Sequence, residues 1–116
     1  MYNIWYGLEC YIFRDKTGDE PVKEFILAQS DGAIGEIIHV LNLLHKFDLS
    51  LCSPYVEKVC GKIWCLRIKH SSDYYRILYF ATTGKKFILL HALKKKTDKL
   101  PEAEIEIALK RMKDHP

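Results

Sequence analysis

Residues 55–94 read YVEKVC, GK, IWCLRIKH, SSD, YYRILYFAT, TGK, KFILLHALK: four apolar or alternating runs divided by short polar segments. Runs of this length, rich in Val, Ile, Leu, Tyr and Phe and bounded by Gly, Ser, Thr and Asp, are strand signals. Tyr55 to Cys60, Ile63 to His70, Tyr74 to Thr82 and Lys86 to Lys94 are therefore expected as strands. Gly61-Lys62 is a tight connection, and Ser71-Ser72-Asp73 and Thr83-Gly84-Lys85 are turns, so the four runs predict an antiparallel meander.

Upstream of the meander, Pro54 marks the boundary of a helix in which Ile34, Ile37, Ile38, Leu41, Leu44 and His45 recur at helical spacing. Before it, Ser30-Asp31-Gly32 breaks a shorter helical pattern (Val22, Phe25, Ile26, Ala28) and supplies a capping residue. Glu9 to Arg14 alternates as a strand, and Asp15 to Pro21 has turn chemistry. Downstream, the tail from Pro101 is helical, with Glu102 and Glu104 early and Lys110, Arg111 and Lys113 late, in the sense that complements the helix dipole. The order predicts an α+β fold: an antiparallel sheet of about four strands, two N-terminal helices packed on one face, and a C-terminal helix. The other face of such a sheet is free to meet solvent. At 116 residues the chain is expected to form a single domain over 1–116.

Composition narrows the class. The run Tyr2 to Tyr6 is too short for a secretory signal, and no apolar stretch is long enough to span a bilayer, so a cytoplasmic protein away from membranes is expected. Cys10, Cys52, Cys60 and Cys65 form no CxxC pair and have no histidines at zinc-finger spacing; they read as reduced thiols, with two disulfides as the alternative. No metal site and no cofactor are expected. The net charge of +3 is unevenly spread. Residues 1–57 hold four Lys/Arg against nine Asp/Glu, whereas residues 58–116 hold fourteen against six, so the second half is the candidate face for a polyanion.

Within that half, strand alternation puts Cys65, Arg67 and Lys69 on one side of their strand and Trp64, Leu66 and Ile68 on the other. Arg76 interrupts an apolar and aromatic run (Tyr74, Tyr75, Ile77, Leu78, Tyr79, Phe80) and must reach an open face or a buried partner, because an unpaired buried guanidinium costs several kcal/mol. The last strand runs into Lys94-Lys95-Lys96-Thr97-Asp98-Lys99. Converged, these groups suit RNA cleavage by the RNA's own 2′-hydroxyl: arginines grip phosphate, lysines among other cations act as acid or base, and Tyr74 or Tyr75 stacks on an unpaired base. Each has a plainer role too. Arg67 pairs with a carboxylate, Arg76 anchors the C-terminal tail, the lysines form a solvated turn, and His91, between Leu90 and Ala92, is a core histidine.

Gly61-Lys62-Ile63-Trp64-Cys65-Leu66-Arg67-Ile68-Lys69-His70, then Tyr75-Arg76-Ile77-Leu78-Tyr79-Phe80, then Leu89-Leu90-His91-Ala92-Leu93-Lys94-Lys95-Lys96-Thr97 together resemble the signature of phage-derived HigB-like toxins of the RelE/ParE superfamily. Phe13-Arg14-Asp15 with Gly18 and Pro21-Val22 resembles its opening, and Lys99-Leu100-Pro101 with Glu104 to Lys113 its final helix. The resemblance implies a RelE-like fold and the toxin of a type II toxin-antitoxin system, a metal-independent endoribonuclease that cuts ribosome-bound mRNA. It implies Arg67, Arg76, Lys95 and Lys96 as catalytic residues; Lys69, Tyr74, Lys94 and Lys99, on the same basic and aromatic segments, are expected as RNA contacts. The implied partners are a helix-turn-helix (HigA-like) antitoxin, the ribosome and mRNA, with DNA met only through the antitoxin complex. Cys65 stands where this branch commonly has glutamate, and Asp98 and Leu100 where glutamine and threonine are usual. Two other readings remain: a ParE-like inhibitor of DNA gyrase from the same superfamily, without nuclease activity, and a plain RNA-binding module, which would share the basic face but tolerate loss of any one arginine.

Overall fold

The computed structural model describes residues 2–5, 8–47, 51, 54–82, 86–97 and 99–114, with side chains described from residue 11 onward. The expected Thr83-Gly84-Lys85 turn, Cys52, Asp98 and the side chain of Cys10 lie outside the described residues. The chain runs β1 (Tyr2–Trp5), β2 (Leu8–Phe13), α1 (Pro21–Leu27), α2 (Asp31–Phe47), β3 (Val56–Cys60), β4 (Ile63–His70), β5 (Asp73–Thr82), β6 (Lys86–Lys95) and α3 (Glu102–Asp114). Among the described residues the strands make one six-stranded sheet in the order β1-β2-β6-β5-β4-β3.

The α+β class and the antiparallel meander β3 to β6 follow the sequence pattern, but the sheet is larger than four strands and is mixed. β1 pairs antiparallel with β2, and β2 pairs parallel with β6, Cys10 to Ile12 lying opposite Phe87 to Leu89. β1 has only four residues, too few for alternation to register. The β2–β6 pairing joins segments from opposite ends of the sequence, and such a register leaves no local trace. Asp73, expected in a turn, instead begins β5 opposite His70. The hairpin closes over Ser71-Ser72 alone because Ser71 adopts φ 59°, a left-handed conformation uncommon outside glycine.

Local chemistry sets the helices. Pro21 opens α1, where its missing N–H costs nothing. The Ser30 hydroxyl accepts from the Ala33 amide at 3.2 Å, capping α2 as its sequence position foretells. Both helices lie on one face of the sheet: Val22, Ile26, Ile37 and Leu41 pack with Ile12, Leu66, Ile77 and Leu89 in a continuous core. α2 rides close to the end of β4, since a Cβ on residue 32 would stand 3.0 Å from the His70 ring, and Gly32 removes that obstacle.

The second face is not left to solvent. Phe13, Ile63, Cys65, Leu78, Ile88 and Leu90 form a smaller core there beneath Ala108 of α3. α3 buries little else fully, and polar contacts fix it. Arg111 donates from Nη1 to the Leu90 carbonyl at 2.8 Å and to His91 Nδ1 at 3.2 Å, while its guanidinium lies over the Phe13 ring at 5.8 Å. His91 Nε2 lies 3.1 Å from Glu104 Oε1. These partners fit a neutral imidazole that donates from Nε2 to Glu104 and accepts at Nδ1 from Arg111. Burial pushes the His91 pKa below its ordinary value; the Glu104 hydrogen bond opposes the fall, and the Arg111 charge adds to it. A histidine with a depressed folded pKa contributes stability that is fully present above its unfolded pKa, about 6.5, and is lost as pH falls through the folded value. The melting temperature is therefore expected to drop more steeply between about pH 7.5 and about pH 5 in the native chain than in His91→Gln. Equal slopes in a calorimetric pH series would remove His91 as the source.

Candidate functional site

β3 and β4 part company at one end of the sheet. Val56 lies opposite Leu66, and one residue further the Arg67 amide donates to the Tyr55 carbonyl at 2.8 Å. β4 continues to His70 beyond the start of β3, and at this edge a cleft of about 360 Å³ opens between sheet and helix. Arg67, Lys69, Tyr74 and Arg76 line it from β4 and β5, and Glu36 and His39 line it from α2. Tyr55, exposed at the rim, closes the β3 end.

The arginines are direct cross-strand neighbours, Arg67 opposite Arg76, and Leu93 of β6 continues the row. One row further out, Lys69, Tyr74 and Lys95 lie side by side. The face that α3 covers at one end is thus basic at the other. Arg76 is only 3% exposed, a buried charge in an otherwise apolar strand. Its Nη1 donates to the Tyr75 carbonyl at 3.4 Å, and its guanidinium lies 5.6 Å from the Tyr74 ring centroid. Burial lowers its pKa from the ordinary guanidinium value; the Arg67 charge acts in the same direction, and Cys65, Glu57 and Tyr74 oppose it. A guanidinium stays charged at neutral pH even so.

Tyr74 also takes the Lys69 ammonium at 5.4 Å from its centroid, so two cations bracket one ring. Such contacts are worth roughly 0.5–2 kcal/mol and fix the spacing of the two charges.

The lysine run does not act as one cluster. Alternation puts Lys95, half-buried beside Tyr74, on the arginine face, whereas Lys94 lies opposite Tyr75 and points to the helix-covered side. Lys96 forms an ion pair with Asp73 at 2.6 Å, and this contact holds the Asp73 carboxyl below the usual carboxylate range. Lys99 is exposed beyond the end of β6. Of the eight residues singled out in the sequence, Arg67, Lys69, Tyr74 and Arg76 meet in the cleft, Lys95 adjoins them, and Lys94, Lys96 and Lys99 stand apart.

Glu36 and His39 were not foreseen. They sit off the apolar stripe of α2, where charge ordinarily means a solvated surface, and only the crossing of α2 near the end of β4 brings them to the cleft that the arginines also line. Among the described residues no group of three His, Cys, Asp or Glu side chains is placed to hold a metal ion. No helix among them is long and apolar enough to cross a membrane.

Residues 24–113 match the family model described as Phage derived protein Gp49-like (DUF891), and the chain belongs to that family, a toxin family related to the RelE/ParE type. The curated proteins compared with the chain gave no match.

Cys65 is fully buried between Glu57 of β3 and Leu78 of β5. Its thiol is pushed up to about 12, chiefly by burial. Thiolate is the reactive form, so iodoacetamide at about pH 8 is expected to leave Cys65 unmodified in the folded chain and to label it in denaturant, as read by peptide mass spectrometry. Labelling of the native chain at Cys65 would contradict its burial.

Proposed function

We propose that this member of the Gp49-like family is a HigB-like toxin of a type II toxin-antitoxin system that inhibits translation by cutting ribosome-bound mRNA in the cytoplasm. The observation on which this rests most is the Arg67–Arg76 pair. Two cations directly opposite one another on adjacent strands repel, and one of them is buried. Two guanidinium groups placed side by side in this way suit a bidentate grip on a phosphodiester, whose negative charge would relieve the repulsion between them. The neighbouring Lys69 and Lys95 extend the positive field along a nucleic-acid backbone.

In the proposed reaction the 2′-hydroxyl of the mRNA attacks its own 3′-phosphate. Arg67 and Arg76 hold the non-bridging oxygens as charge builds on them, which is electrostatic stabilisation by groups already in place. Lys95 adds charge at the outer row, and the roles of Lys96, Lys94 and Lys99 are then confined to longer-range attraction. The partner is a helix-turn-helix antitoxin of the HigA-like kind, through which alone the toxin meets DNA. Neither a metal nor a cofactor enters this scheme.

Induced expression tests the reading. The native chain is expected to arrest growth and cleave mRNA within translated frames. Arg76→Ala is expected to lose about 100-fold or more of the cleavage, and Lys95→Ala with Lys96→Ala a smaller part. Circular dichroism would confirm that each variant folds. Arrest with intact mRNA and blocked DNA supercoiling would replace this reading by the ParE-like gyrase inhibitor.

A further inference from the structure

The cleft supplies more than anion binding, because its helix wall contributes two groups of a different chemistry. Glu36 and His39 stand three residues apart on α2 and so share one side of the helix. Both are exposed, both line the cleft that holds Arg67 and Arg76, and neither contributes to the core beneath. α2 passes close to the end of β4 here, where a Cβ at position 32 would stand 3.0 Å from the His70 ring.

Guanidinium groups hold their protons throughout, and lysine and tyrosine side chains ordinarily give theirs up only in alkali. Carboxylate and imidazole are the two side-chain types that accept and donate protons readily under physiological conditions. The cleft contains one of each, on the α2 side of the sheet edge that Arg67 and Arg76 also line.

We propose that Glu36 and His39 are the proton-transfer pair of this site, a role that rests on reading the cleft as the place where mRNA is cut. The Glu36 carboxylate takes the proton from the 2′-hydroxyl as the 2′-oxygen bonds to phosphorus. The bond from phosphorus to the 5′-oxygen breaks, and the His39 imidazolium gives its proton to that oxygen. The products are a 2′,3′-cyclic phosphate and a 5′-hydroxyl end. Water then removes the proton from Glu36 and returns one to His39, so the cycle closes without an oxidant, a reductant or a further reactant.

The assignment separates the helix wall from the sheet wall: α2 moves protons, β4 and β5 hold the phosphate.

Single-turnover cleavage on ribosomes programmed with an mRNA that the native chain cuts provides the test, with native, Glu36→Gln, His39→Gln and Arg76→Ala chains compared. Both α2 variants change exposed side chains, and unchanged melting curves would confirm the fold. Each is expected to cleave about 100-fold or more slowly at saturating toxin. A second mRNA carries sulfur in place of the 5′-bridging oxygen at the scissile linkage, so that the leaving group departs without a proton. On it His39→Gln is expected to recover to within about 10-fold of the native chain, and Glu36→Gln is not. A merely structural role for His39 predicts the same deficit on both substrates, and that result overturns the assignment. Native-like rates in both variants, with Arg76→Ala inactive, overturn the proton pair while leaving the nuclease reading intact. Absence of cleavage by the native chain removes both.

Discussion

A buried guanidinium beside a second one is the constraint around which this end of the molecule is arranged. Arg76 leaves water almost completely, and the residue facing it across the ladder is Arg67. Desolvation and like-charge repulsion both act against the folded state, the first by several kcal/mol if nothing offsets it. Part of the offset is visible: the Tyr75 carbonyl, the Tyr74 ring and the charge of Glu57 all favour the cation. These contacts come from the same two strands and their neighbour β3, so the pair is held by the sheet itself and does not depend on a loop. Placement on strands gives such groups a precision that a flexible segment does not supply.

The division of the second sheet face follows from that constraint. His91, Leu78 and Cys65 share one row, and the arginine row comes next. α3 stops at the former. Its contact there is a polar clamp of Glu104, His91 and Arg111, with Ala108 the only fully buried residue of the helix among those described. The face is therefore apolar where α3 covers it and basic where it ends, and the same sheet serves both as core and as open surface.

Much of this was legible in the sequence. The meander from β3 to β6, the two N-terminal helices on one face and the capped start of α2 follow from periodicity and turn chemistry at the residues that show them. Arg67 and Lys69 were correctly put on one side of β4, by alternation alone. Arg76 was recognisable as a misfit, but its face was not, because an apolar run buried on both sides has no alternation to read. For the same reason Cys65 read as part of a polar side, although α3 buries it. The β2–β6 register, the short β1 and the helix wall of the cleft depend on contacts between distant segments, which no local pattern encodes.

The lysine run shows how far composition alone misleads. The four lysines between positions 94 and 99, interrupted only by Thr97 and Asp98, read as one positive cluster, yet a strand alternates and a cluster does not. Lys94 and Lys95 leave the chain on opposite sides of the sheet, and Lys96 is drawn to Asp73 at the start of the neighbouring strand. That ion pair is exposed on the lysine side and is worth little to stability. Its consequence is geometric: it ties the end of β6 to the beginning of β5, beside the row in which Lys95 meets Tyr74. Local charge density therefore depends less on how many lysines the segment contains than on which one the pleat turns towards the arginines, and Lys95 is that residue.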